Sequence, residues 1–374
     1  MNADAAAPAP EIERAEVVWL QRLAAPHLDI REVTAGALDG RAIRLSGELL
    51  SPPDVLYAAL AGPLRERGRT LLLRREDGQA TLLAVQGVVR PQENNRWLPA
   101  VLAVLTFASM VFTYAIMHSS SEAITWAGIL AGLGDALAFS VSLLAILVTH
   151  ELGHYLTARR FGVAVSLPFL IPLPMSLLGT MGAIIRMKDI PPSRKALLYI
   201  GAAGPLAGLA VGVPILALGI ALSEVTTLPS GPGYMLEGNS LLYGALKFVI
   251  KGQWLPSATH DIMLHPVALA GWAGVLITAL NLIPAGQLDG GHVASALLGQ
   301  RARTLTWLIL AALLLLGLLW QGWLLWAVLV YLSSRAQAQP LDDLTTLKPG
   351  EMRLAVALFL LALLTFTPIP IRLL

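Results

Sequence analysis

The chain reads as a multi-pass α-helical membrane protein of about six spans, with a re-entrant or β-forming segment and a small amino-terminal cytoplasmic α+β domain. Three observations predict this. The sequence is 56% apolar and only 13% charged, whereas soluble domains average about 25% charged residues. The charge deficit is local, because residues 1–96 carry Arg, Glu and Asp at an ordinary density. After Trp97 come long apolar runs, several of which reach the roughly 20 residues needed to cross hydrocarbon.

These features set the domain boundaries at 1–92, a cytoplasmic unit expected to be regulatory, and 93–374, a membrane-embedded domain. The stretch Met1–Pro10 is rich in Ala and Pro and lacks a basic start followed by an apolar core. It does not read as a signal peptide, so the first membrane segment is expected to direct insertion. A net charge of +2 gives no reason to expect nucleic acid as a partner. The chain has no Cys, which excludes disulfides and thiolate ligands. Any metal must be held by His, Asp or Glu.

In the first domain, residues 11–24 suit a helix. Ala42–Leu50 alternates like a strand, and Ser51-Pro52-Pro53-Asp54 starts a helix running to about Arg67. Thr70–Arg74 and Thr81–Val85 flank Arg75-Glu76-Asp77-Gly78, a hairpin turn. No metal-binding or nucleophile cluster occurs here.

Leu98–Met117 is the first expected span. Arg90 and Arg96 precede it and no basic residue follows closely, which places the first domain in the cytoplasm. Ile124–Leu133 is short and broken by Gly, as in a re-entrant piece, and Asp135 is a candidate cap for the next helix. That helix runs from Ala136 to about Arg160. Val163–Met187 is apolar but carries Pro168, Pro172, Pro174, Gly179 and Gly182, so strands and a loop are expected. Irregular backbone at membrane depth survives only where protein or a water cavity covers it. Ala196–Val225 forms the next span, and its Gly201, Gly204 and Gly208 permit close helix approach. Residues 226–260 are loop-like with an amphipathic helix at Ser240–Ile250. Pro266–Leu282 returns inward. Thr304–Ser334 is long for one span and short for two, and Trp320-Gln321-Gly322-Trp323 at its middle favours two. Arg353–Pro368 begins the last span.

The chemistry starts at His150-Glu151-Leu152-Gly153-His154. In this HExxH pattern the two His share one helix face and can hold one Zn²⁺, while Glu151 can take a proton from water at the metal. All three interrupt an apolar helix, where ionisable groups are costly and usually functional. Counting back from Arg159 at the helical rise places His154 about 7.5 Å and His150 about 13 Å from the basic boundary. A catalytic zinc takes three protein ligands and keeps one position open. Asp289 is the best candidate for the third, with a capping role as its structural alternative and His292 as a competing ligand.

These motifs resemble the site-2 protease family of intramembrane zinc metalloproteases. The resemblance rests on His150–His154, on Leu288-Asp289-Gly290-Gly291, and on Gly204-Pro205-Leu206-Ala207-Gly208 between them. Asn281–His292 and Leu341-Asp342-Asp343-Leu344-Thr345 are similar to the EGY-like branch, and the likeness spans about residues 97–370. Neither a PDZ domain nor a CBS pair is recognisable. The resemblance implies one Zn²⁺ per chain held by His150, His154 and Asp289, with Glu151 as general base. It also implies that Asn281 lies near the reacting carbonyl, where its amide could stabilise an oxyanion; a helix-breaking hydrogen bond is the plainer role. The expected substrate is a membrane-spanning protein segment, unwound and cut near the cytoplasmic side of the lipid bilayer. Two rivals remain at this stage. One is a metal transporter, which would need several sites along a path; the other is a catalytically inactive, chaperone-like relative. Abundant Ala, Leu, Gly and Arg suits a bacterial cytoplasmic membrane better than a plastid one.

Overall fold

The protein is represented by a computed structural model that describes residues 14–88, 97–118, 126–228, 235–335 and 339–373. Met1–Pro10, Arg90, Arg96 and Ile124, on which parts of the leader, topology and re-entrant readings rest, lie outside the described residues. The chain divides into two compact units. The first draws on residues 1–91, 189–197 and 339–348, and the second on 92–188, 198–338 and 349–374.

The first unit contains α1 (Arg14–Ala24), β1 (Leu28–Gly36), a left-handed turn α2 (Ala37–Gly40), β2 (Ala42–Leu49), α3 (Pro53–Glu66), β3 (Arg69–Glu76) and β4 (Gln79–Gln86). The strands form one antiparallel sheet in the order β1-β2-β4-β3. Leu56, Leu60 and Leu64 recur at helical spacing along α3 and are buried with Leu20 of α1 and Leu45, Leu71, Leu73 and Leu82 of the sheet. Arg69 is buried and its guanidinium grips both carboxylate oxygens of Glu16, which holds that carboxyl below its usual range. Strand β1 was not legible in the sequence. It is an exposed edge strand whose alternation changes phase at a bulge between Ile30 and Glu32, so Leu28 and Ile30 fall out of step with Val33 and Ala35.

An unpaired sheet edge invites unwanted pairing, and the β3 edge is covered from within the unit. Leu73 N–H donates to Leu341 O (2.9 Å) and Leu73 O accepts from Asp343 N–H (3.1 Å). Asp342 forms parallel bridges with both Leu73 and Ser193. Its buried carboxylate accepts from the backbone N–H of Leu344 (2.9 Å) and Thr345 (3.1 Å). The Thr345 hydroxyl donates to it as well, so Asp342→Ala strands two backbone donors and a hydroxyl and should cost about 1–3 kcal/mol. Faster hydrogen exchange at Leu344 and Thr345 in the full chain is the check, and unchanged exchange would show that the carboxylate does not hold this segment.

The second unit begins with α4 (Trp97–Met117), α5 (Trp126–Ala131) and α6 (Leu133–Arg160). Helix α6 starts earlier than expected. Gly132 is its N-cap, and Asp135 lies inside the first turn without making a side-chain cap bond. Next come β5 (Phe169–Pro172), β6 (Thr180–Ile184) and α7 (Arg194–Leu222). Among the described residues, three helices are long and apolar enough to cross a membrane: α4, α6 and α7, with 21, 28 and 29 residues.

The Pro- and Gly-rich stretch is indeed extended. Strands β5 and β6 form an antiparallel hairpin. Its loop is tied to α4 by Ser109 Oγ–H donating to Gly179 O (2.6 Å) and Thr113 Oγ1–H to Pro174 O (3.1 Å). Backbone that cannot form a helix is thus satisfied by side chains of a neighbouring helix. Beyond α7 lie β7 (Glu224–Thr227), β8 (Met235–Glu237), α8 (Leu241–Lys251), β9 (His260–Met263), α9 (Pro266–Asn281) and α10 (Asp289–Leu298). A 3₁₀ turn (Gly299–Arg301) leads to α11 (Ala302–Leu316), α12 (Gly322–Ser334), α13 (Pro349–Thr365) and β10 (Ile371–Leu373). The run 304–334 is two helices, as the central Trp and Gly residues predict. Strands β7–β9 and β8–β10 form two small antiparallel pairs.

Candidate metal centre

Helix α6 supplies the first three functional side chains. His150 and His154, four residues apart, project from one face of it. Both are buried, as is Glu151 between them. The His154 ring is fixed from behind, because its Nδ1–H donates to the Ile200 carbonyl of α7 at 2.7 Å. That bond selects the tautomer whose Nε2 lone pair faces the centre, the usual second partner of a metal-binding imidazole.

Asp289 is the first residue of α10. Pro284 and the following turn end α9, and the chain folds back on itself so that α10 starts beside α6. The approach is tight. A Cβ on Gly290 would lie 2.1 Å from Leu282 O and one on Gly291 would lie 2.4 Å from Gly286 O. Only glycine fits after Asp289, which is the structural reason for the Asp-Gly-Gly triplet.

The three ligand-type residues meet at one point. His150 Nε2 and His154 Nε2 are 3.2 Å apart, His150 Nε2 and Asp289 Oδ2 3.2 Å, and His154 Nε2 and Asp289 Oδ1 3.3 Å. Ligands bound at about 2.0–2.1 Å in a tetrahedral shell are separated by about 3.3–3.4 Å. The two imidazole nitrogens stand at that separation, each faces a different oxygen of Asp289, and one ligand atom from each residue lies within 4.8 Å of the others, close enough to share one ion. Among the described residues this is the group of His, Asp and Glu side chains able to hold an ion.

A cavity of about 440 Å³ opens beside the triangle. Its lining includes Glu151, Asn281, His292 and the strand residues Ala183–Met187. The structure thus brings all five predicted site residues, His150, Glu151, His154, Asn281 and Asp289, to one cavity. Glu151 accepts a hydrogen bond from the backbone of Ile185. His292, the competing ligand, lies outside the metal-capable group. Its Nδ1 meets Leu288 O at 3.1 Å, and its Nε2 is buried with no partner among the described atoms.

Sequence reading missed one feature of the site. Gly204 and Gly208 of α7 suggested close helix packing, but their main role is to make room for the imidazoles. A Cβ on Gly204 would fall 1.9 Å from His154 Nε2, and one on Gly208 would fall 3.1 Å from His150 Nδ1. The recurrence of Gly at a spacing of four, matching the spacing of the two His on α6, was the available signal.

Comparison with known proteins agrees with this geometry. Residues 138–317 match the family model described as Peptidase family M50. The chain is 34% identical over 244 residues to "Probable zinc metalloprotease EGY2, chloroplastic" of Arabidopsis thaliana, covering 64% of this chain and 43% of that protein. It is 35% identical over 244 residues to "Probable zinc metalloprotease EGY1, chloroplastic" of the same plant, covering 63% and 43%. It is 30% identical over 255 residues to "Probable zinc metalloprotease EGY3, chloroplastic" of Oryza sativa subsp. indica, covering 63% and 42%. The matched regions thus span about two fifths of these relatives' length. No solved structure matches.

Proposed function

We propose that this chain, which carries a peptidase family M50 domain over residues 138–317 and is homologous to EGY zinc metalloproteases, is a zinc metalloendopeptidase that hydrolyses membrane-spanning protein segments. The observation that carries the reading is the convergence of His150, His154 and Asp289 on one point beside a cavity that Glu151 also lines. When bound, zinc supplies Lewis acidity toward a carbonyl and toward water. His150, His154 and Asp289 would hold it. Glu151 accepts the proton released by the attacking water and passes it to the leaving amine nitrogen. The Asn281 amide, on the same cavity, donates to the developing oxyanion.

In this reading the three long helices are joined in the bilayer by the shorter apolar ones, including α9 and α12, to give about six spans. The amino-terminal unit is cytoplasmic and regulatory, and the cut falls near the cytoplasmic end of the substrate helix. The composition favours a bacterial cytoplasmic membrane, a choice to which the chloroplastic relatives lend no support. A single ligand cluster among the described residues favours an enzyme over a transporter. The intact Glu151 favours it over an inactive relative. The direct test compares cleaved membrane peptides from cells carrying the intact chain and a Glu151→Gln variant. Identical peptide sets would sink the proposal.

Substrate is proposed to dock as an added strand along 182–187. Arg186 gives its carbonyl to Ser166 N–H (3.0 Å) and its own N–H to Ser166 Oγ (2.9 Å). Backbone groups of its neighbour Met187 turn the other way and Met187 lines the cavity, whereas the Ile185 N–H is already engaged by Glu151. An unwound substrate can pair there by strand addition. Proline at Met187 should lower cleavage while metal content stays constant, whereas proline at Arg186 should disturb the hairpin itself. A proline scan of 182–187 with metal and cleavage measured together decides the matter; docking here fails if no position separates them.

A further inference from the structure

Helix α8 is amphipathic in the inverted sense. A helix on a water-facing surface turns charge outward and apolar residues inward. In α8 the outward residues are Leu241, Ala245, Phe248 and Val249, a stripe at i, i+4, i+7 and i+8. Val249 is 77% exposed and Leu241 69%. Trp254, just past the helix, is also exposed and stacks on Phe248 with ring centroids 4.6 Å apart.

The inward residues are Tyr243 and Lys247. Lys247 is fully buried, with its Nζ 3.3 Å from Asp261 Oδ1 and 3.5 Å from Glu237 Oε1. Tyr243 O–H donates to Glu237 Oε1 (2.9 Å), and its ring lies 4.4 Å from the Lys247 ammonium. Burying an ion cluster carries a desolvation penalty, and a lysine on this helix would ordinarily face water instead. The inversion makes sense where the outside is not water, since ionisable groups near lipid turn inward and pair with one another.

A second observation places the helix. Lys251, at its C-terminal end, donates from Nζ to Ala221 O (3.2 Å) and Ser223 O (2.6 Å), at the last carbonyls of α7. Gly204, which packs on His154, lies 18 residues before Leu222, or about 27 Å along α7 at the helical rise. Helix α8 is therefore tethered to the end of a candidate span remote from the metal centre, at the level of a bilayer surface.

We infer that α8 is an interfacial membrane helix, with Leu241, Ala245, Phe248, Val249 and Trp254 seated in the headgroup–acyl boundary on the side opposite the metal centre. Apolar burial of this kind, with an aromatic residue at the headgroup level, is how monotopic helices hold a bilayer surface. The inference rests on the chain being membrane-embedded and is independent of its being a protease.

The absence of Cys makes site-specific labelling clean. Single cysteines at Leu241, Ala245 and Val249 carry a fluorophore in the full chain, reconstituted in phosphatidylcholine vesicles. Val104, exposed on α4, serves as the lipid reference and Glu66, exposed on α3, as the water reference. Shallow doxyl-labelled lipid should quench the three α8 labels several-fold more than the Glu66 label, and aqueous iodide should do the reverse. Iodide quenching at Val249 equal to that at Glu66 overturns the inference. So does quenching that depends on the protein-to-lipid ratio, which would assign the stripe to a second copy of this chain. A Val104 label that behaves like Glu66 would show instead that the chain is not embedded, and the inference falls with that premise.

Discussion

We expect His154→Ala to empty the centre of metal and abolish peptide hydrolysis, and Glu151→Gln to keep the metal and lower turnover by about 10²–10⁴-fold. The split follows from geometry. His154 Nε2 lies 3.2 Å from His150 Nε2 and 3.3 Å from Asp289 Oδ1, and losing it leaves two ligands where a catalytic zinc needs three. Glu151 lies on the cavity outside the triangle, so its amide analogue preserves the shell and removes only the proton acceptor. Zinc content measured by atomic emission beside cleavage of a membrane peptide separates the two roles. Asp289→Ala belongs with His154→Ala. Full zinc content in Asp289→Ala would remove Asp289 from the ligand set, and full activity in Glu151→Gln would end its assignment as the base.

Gly204→Ala should act almost as strongly, although it removes nothing. The added methyl carbon would lie 1.9 Å from His154 Nε2, well inside van der Waals contact. Helix α7 cannot retreat freely, because Ile200 O one turn earlier holds the same imidazole through Nδ1. The ring must rotate out of the metal triangle. Disturbing the supports of a metal ligand typically costs 10–100-fold in affinity, and displacing the ligand itself should cost at least the upper end, about 100-fold. Gly212→Ala is the matched control on the same helix. Its Cβ would meet Ile146 at 3.5 Å, an ordinary contact, and alanine is favoured over glycine inside a helix by about 1 kcal/mol. Zinc titration of both variants tests the argument. Equal affinity in the two would show that α7 yields and that Gly204 is only a packing residue.

Much of the site was legible because its chemistry is written in local spacing. His150 and His154 four apart on an apolar helix specify a shared face and a metal. The absence of Cys narrows the remaining ligand to His, Asp or Glu. The prolines and glycines of 163–187 exclude a spanning helix, so the β5–β6 hairpin was foreseeable in kind. Strand β1 was not, because its alternation changes phase at the bulge between Ile30 and Glu32 and its outer half is exposed. Segment 339–348, which covers the β3 edge, and segment 189–197, which pairs with 341–342 in turn, were equally hidden. Their pairing joins residues far apart in sequence, which no window along the chain can detect.

By itself the sequence determined the kinds of element, the metal-binding spacing, the placing of Glu151 beside it and the exclusion of thiolate chemistry, since each of these depends on residue types or on residues within a few turns of one another. Tertiary structure alone decided how they combine. It placed Asp289 opposite His150 and His154 rather than as a simple cap, left His292 out of the triangle, and turned Ile185 N–H toward Glu151. It showed Gly204 and Gly208 to be the space that the imidazoles occupy, and Lys247 of α8 to face inward. Each of these is a contact between elements distant in sequence, fixed by how closely backbones approach and which side chains then share the gap. That information belongs to packing and has no period along the chain.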